Sequence, residues 1–298
     1  MKILLLGFRI VAVTIVILLA RVAAATIVGF ASQAGSGPST SGGPSLDRAA
    51  AQALLFVTVL GVSFLEALVL VHPIRRSRGS RIRLTLVVFL LVFGATTLQT
   101  QLETAFFGVL PMRTILRIVG MGAITAAIVA PLAVLLLRDG RRGADSAIEP
   151  RVPGLQAREW AWRLAAIGLG HVILYTVFGY FVAWRSPEVR AFYGGSAEDA
   201  GLAGFGLLAI PTLAPFQFLR GLLWAGLAIP FLRGMRGRWP EAGLALGLLF
   251  AVLSNAQLLL PNPYMPASVR LVHLVETGSS NFLLGGWIAW ILRGARSP

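Results

Sequence analysis

Apolar residues run along this chain in blocks about 20 residues long, the length an α-helix needs to cross a hydrocarbon layer ~30 Å thick. Reading each block between its flanking Arg, Pro and Gly predicts helices at 10–31, 49–72, 84–107, 113–137, 160–184, 206–232, 240–260 and 267–292. The expected fold is therefore an all-α, polytopic transmembrane helical bundle of about eight spans. Nothing of domain size is left over for a soluble fold.

The segments between the blocks alternate in character. One set is rich in arginine: Arg75, Arg76, Arg78, Arg81 and Arg83; Arg138, Arg141, Arg142, Arg151 and Arg158; Arg233, Arg236 and Arg238; Arg293 and Arg296. The other holds the Gly/Ser stretch 32–45, the turn at Pro111, the segment 186–201 and the Pro-rich 261–266, with Glu188, Glu198 and Asp199. The positive-inside rule places the first set in the cytoplasm, with both termini, and the second outside. A plasma (inner) membrane location follows as the expectation. Trp160, Trp162, Trp239 and Trp290 fall at the inner interface, and Trp184, Tyr180 and Tyr264 at the outer one. Residues 1–25 admit a second reading, because a charged start, an apolar run and Ala23, Ala24 and Ala25 have the form of a signal peptide. Arg21 and the apolar continuation to Ala31 speak for a retained helix.

Composition agrees with lipid as the solvent: 56% of the 298 residues are hydrophobic and only 13% charged, too few to cover a globular surface. The net charge of +14 is then a topology signal, and nucleic acid is excluded as a partner. Lys2 is the sole lysine, so an intramembrane Schiff base is excluded; the absence of cysteine excludes disulfides and thiolate sites.

Sliding the chain along itself by about 155 positions aligns HPIRRSRGSR (72–81) with IPFLRGMRGR (229–238) and LLLRDGRR (135–142) with WILRGARS (290–297). This predicts two tandem four-helix halves, 1–141 and 159–298, joined by a cytoplasmic linker at 142–158. Because four is even, both halves would enter from the same side and be related by a parallel pseudo-two-fold axis, with a functional site between them.

Ionisable groups in hydrocarbon are costly and mark candidate sites. At ~100° per residue, Arg270, His273, Glu276, Thr277, Ser280 and Asn281 share one stripe of the last helix. As a site, the stripe would line a cavity open to the outside. As packing, it would lock the helix to its neighbours by hydrogen bonds. Glu103, His171 and Asn255 lie at similar depth, and Glu103 and His273 are expected to converge. Arg220, in a helix interrupted by Pro211 and Pro215, is a candidate anion or carboxylate partner, with Glu66 as one such carboxylate. His171, His273, Glu276 and Glu103 together would suffice for zinc or another divalent metal; a haem held by His171 and His273 is the lesser alternative.

Walker, GxSxG, HExxH and Asp-rich diphosphate motifs are all absent. The leading expectation is a transporter or channel-like protein, its partners the lipid bilayer and a small solute, ion or lipid, with homo-oligomers compatible. The alternatives are an intramembrane, metal-dependent enzyme acting on a lipid, with the same residues as ligands or acid and base, and a non-catalytic subunit of a membrane complex.

Overall fold

The computed structural model describes residues 2–28, 45–138, 156–195, 205, 210–261 and 265–294. Among them the chain is all-α, and no strand forms beyond a single isolated bridge. The helices are α1 (Lys2–Ile27), α2 (Ser45–Arg76), α3 (Arg81–Phe93, continued by a π turn Gly94–Leu98 and Gln99–Phe106), α4 (Met112–Leu137) and α5 (Ala157–Phe178, continued by a π turn Gly179–Ala183). They continue with α6 (Pro187–Phe192), α7 (Leu213–Gly234), α8 (Trp239–Asn255, ending in a 3₁₀ turn Ala256–Leu259) and α9 (Ala267–Ala289, ending in a π turn Trp290–Gly294). Seven of these, all but α6 and α9, are long and apolar enough to cross a membrane. The chain is thus a polytopic membrane protein.

Of the eight expected spans, the last, α9, forms as a helix of spanning length, but Arg270, His273, Glu276 and Asn281 keep it from being counted with the seven by composition. The first helix begins at Lys2 instead of residue 10, because the apolar run Ile3–Leu6 continues the same helix. The break expected at Pro211 and Pro215 falls at the start of α7: Pro215 occupies the first turn, where a missing N–H costs nothing.

The outward surface is apolar. Leu54, Phe56 and Val57 on α2, Ile173 and Phe181 on α5 and its π turn, and Leu219 on α7 are each more than half exposed. Contiguous apolar exposure of this kind is stable only against lipid.

Two compact units divide the chain: Met1–Arg75 with Ser80–Gly143, and Arg76–Gly79 with Ala144–Pro298. In the first, Val13, Ile17, Ala20 and Ala24 form a buried stripe of α1, which packs on α4, where Ala126, Val129, Ala130, Ala133 and Val134 are buried. The small residues let the backbones approach, which is how helices associate when no hydrophobic effect separates lipid from side chain. Arg21 donates to Glu66 at 2.5 Å, tying α1 to α2. Glu66, weighed above as a partner of Arg220, is instead the partner of Arg21.

In the second unit α5 meets α7 where Gly221 faces Gly168 and His171, and α8 meets α9 where Gly247 faces Gly285. Trp224 of α7 packs against Phe250 of α8 with ring centroids 4.3 Å apart and planes tilted by 49°. The same unit contains a small antiparallel bridge, Ser77 to Met235, with Arg78 N–H donating to Gly234 O (2.8 Å) and Arg236 N–H to Arg76 O (3.0 Å). The paired residues are 158 positions apart, and adding 158 to one strand's numbers returns the other's. Gly79 and Gly237, at the same offset, both have φ of +98°, a conformation that favours glycine. Each is followed by the residue that precedes the next helix, Ser80 before α3 and Arg238 before α8.

Candidate functional site

The polar stripe of α9 divides into two parts with different partners. Its lower part is a seam with α8. Asn281 donates to Ser254 Oγ at 2.9 Å, Asn255 donates to the same oxygen at 2.8 Å, and the Thr277 hydroxyl bonds to Asn255 Oδ1. Asn255 also donates back to Ala251 O at 2.8 Å, so its amide is shared between its own helix and the seam. Gly247 and Gly285 bring the two backbones together beside it. Asn255 and Asn281, expected at the site, are hydrogen-bonded within this seam. Thr277→Val is expected to lower stability by about 0.6–1.7 kcal/mol, the range for one interhelical bond in a membrane, as read by unfolding in detergent.

Arg270 also has a packing role. Its guanidinium donates to Leu258 O (3.1 Å) and to Leu260 O, capping carbonyls released where α8 tightens into a 3₁₀ turn and ends. A cation suits that position because the last carbonyls of a helix carry partial negative charge.

What remains is a chain of three groups. His273 and Glu276 lie one helical turn apart on the same face, with Nδ1 and Oε2 separated by 2.6 Å. With the carboxylate ionised and the imidazole neutral, Nδ1 is the donor in this pair and Nε2 is left as an acceptor. Tyr193 Oη, 3.3 Å from Nε2, is placed to donate to it. The tyrosine is positioned by α6: Ser186 caps that helix by accepting from Val189 N–H, and Tyr193 follows its last turn. Outside the spans, Ser186 Oγ also donates to Glu188 at 2.6 Å, which holds that exposed carboxyl below the usual range.

Exposure falls along the three groups: Tyr193 is 45% exposed, the His273 side chain 16% and the Glu276 side chain 8%. Glu276 is also close to Gly179, where any Cβ would meet the Phe205 ring and lie 3.6 Å from Glu276 Oε1. Phe205 is buried against Tyr180 and Trp184 with ring centroids 5.8 and 6.0 Å away. Gly179 opens a π turn, a local widening that recurs at functional positions in helices.

His171 is in a different environment. It is buried on α5 with Nδ1 2.8 Å from Gln217 O, and Arg220 donates to Gln217 Oε1 at 2.8 Å. His171, Gln217 and Arg220 form one buried polar cluster between α5 and α7. Glu103 lies on the last segment of α3, in the first unit. Among the described residues no three His, Asp or Glu side chains gather as a metal-holding group, so the set His171, His273, Glu276 and Glu103 is not assembled for one. The two histidines have their own separate partners, Gln217 O for His171 and Glu276 with Tyr193 for His273.

Tyr193, Ser254, Gln217, Gly179 and Phe205 were not among the residues singled out from the sequence. Tyr193 lies in the segment 186–195, whose mixture of aromatic and charged residues predicts a short interfacial helix or lid, and α6 forms there. The others depend on which helices adjoin. The arrangement is thus a carboxylate–imidazole pair with its carboxylate buried and a phenol beside the imidazole, set in a polytopic helical membrane protein. No family model, curated protein or solved structure matches the chain.

Proposed function

We propose that the protein is a membrane transporter that moves a small solute or ion through a site centred on His273 and Glu276, with protons taken up and released by that pair. The observation that supports this most is the graded Tyr193–His273–Glu276 chain, which connects a half-exposed hydroxyl to a buried carboxylate by two hydrogen-bond contacts. Packing alone needs no ionisable groups, as the Ser254, Asn255 and Asn281 bonds of the neighbouring seam illustrate. An imidazole whose Nδ1 is fixed by a carboxylate can pass a proton through Nε2 with no change of ring position.

The Arg-rich helix ends favour a plasma (inner) membrane orientation with both termini inside, so that Tyr193 faces out. Tandem duplication of a four-helix unit supports the transporter reading further, because parallel repeats recur among transporters. The duplication itself is supported by the reciprocal bridge between residues 158 apart and by the matching glycines Gly79 and Gly237.

The test is proton flux into liposomes loaded with a pH-sensitive dye, run across a panel of small solutes. Flux that depends on a solute and falls to the level of protein-free liposomes in both Glu276→Gln and His273→Ala is the expected result. Unchanged flux in both variants, with intact folding, would overturn the reading. A second reading, an intramembrane enzyme, is favoured by the same geometry, since a carboxylate-oriented imidazole facing a hydroxyl is an acid–base arrangement. It predicts turnover of a lipid-like substrate that is lost in His273→Ala without any solute-dependent flux in the wild type.

A further inference from the structure

The second unit carries a groove of about 650 Å³ among α5, α8 and α9 that the site above does not use. Gly170, Gly243 and Gly286 line it, one on each helix, together with Trp239, Trp287 and Trp290. None of the residues lining it is charged. Its volume lies in the range of sites for small organic ligands. A Cβ on Gly286 would meet nothing within 4 Å, so the groove is open at its middle. Trp287 is fixed as a wall because its indole N–H donates to Ala166 O at 3.2 Å.

Depth and charge say what fits. Along α9 the lining runs from Phe282 to Trp290, a rise of about 12 Å, close to the ~15 Å depth of one leaflet's hydrocarbon. The tryptophan end is the Arg-rich end: Arg238 immediately precedes Trp239, Arg236 is two residues earlier, and Arg293 follows Trp290 by one turn. Arg238 is exposed, and Arg293 is held to the same loop by donating to Gly237 O at 2.6 Å. Glu241, two residues beyond Trp239, is taken up by Arg76 through contacts of 2.8 and 3.1 Å. The rim is therefore positive above an apolar slot one leaflet deep.

We infer that the groove holds an acyl chain of an anionic phospholipid from the cytoplasmic leaflet, its phosphate facing Arg236, Arg238 and Arg293. Basic pockets between helices at that face of a membrane recognise anionic headgroups in this way. The inference rests on the orientation proposed above and is independent of transport.

The experiment incubates the full chain with vesicles of equal phosphatidylglycerol and phosphatidylcholine, extracts it in mild detergent and weighs it by native mass spectrometry. The wild type is expected to retain phosphatidylglycerol over phosphatidylcholine, and Arg238→Gln to reduce that preference by about fivefold while lipid is still retained. Gly286→Leu, which places its side chain in the open groove, is expected to lose the retained lipid. Equal retention of the two lipids by the wild type, full retention by Gly286→Leu, or a lipid-free dimer covering the groove would each overturn the inference. Because the readout is a mass and not a flux, failure here leaves the transport reading to its own test.

Discussion

Arg21→Leu is expected to destabilise the first unit by about 3–5 kcal/mol, the range seen when one partner of a buried ion pair is removed. The reason is what the change leaves behind. Glu66 is 3% exposed on α2, and Arg21 reaches it from α1 at 2.5 Å. Without that guanidinium the Glu66 carboxyl is left buried without its ion-pair partner, and α1 loses its polar tie to α2. Arg21→Leu/Glu66→Leu should recover most of the loss, because a buried pair replaced on both sides by apolar groups of similar size is often neutral. The measurement is a set of unfolding curves in detergent for the wild type, the single variant and the double variant. A single variant as stable as the wild type, or a double variant no better than the single, would show that the pair is not what holds α1 to α2.

Gly285→Leu should be comparably damaging to the second unit, by about 3 kcal/mol or more, the upper end of overpacking costs. A Cβ at this position would meet the backbone of Gly247 and Leu246, and backbone cannot rotate away as a side chain would. The helices α8 and α9 must separate, and that separation would stretch the seam in which Asn281 and Asn255 converge on Ser254. Gly278→Leu on the same helix is the control, since nothing lies within 4 Å of its Cβ direction, and its effect should stay within about 0.5 kcal/mol. The comparison separates close packing from helix propensity, as both substitutions replace glycine by leucine in α9. If both variants unfold at the wild-type midpoint, the close α8–α9 contact contributes nothing to stability.

The seam also shows why the stripe on α9 was legible as polar but not by role. Periodicity places Arg270, His273, Glu276, Thr277 and Asn281 on one face and requires that face to avoid lipid. Which of them pack and which are left for chemistry depends on where α8 ends and where Tyr193 arrives, and those are matters of contact between distant parts of the chain. Arg270 became a carbonyl cap because the end of α8 lies beside it; His273 meets Glu276 on its own helix and the Tyr193 hydroxyl from the end of α6. The same logic separated His171 from His273. Both are apolar-helix histidines in sequence, but one faces Gln217 on α7 and the other Glu276 on its own helix.

By itself the sequence determined the solvent and the secondary structure of this protein. Twenty-residue apolar blocks cannot be covered by water or left with unpaired backbone groups in lipid, so helices that satisfy their own hydrogen bonds are the only outcome. It determined the Arg-rich helix ends, while the Ser77–Met235 bridge between two of them came from the tertiary structure. Only the tertiary structure decided the partners: Arg21 for Glu66, Gln217 for His171, Tyr193 for His273, and the glycine contacts that close α8 on α9. Local periodicity states which face of a helix must be buried. The choice of neighbour is made by shape and hydrogen-bond geometry between residues far apart in the chain, and no local pattern carries it.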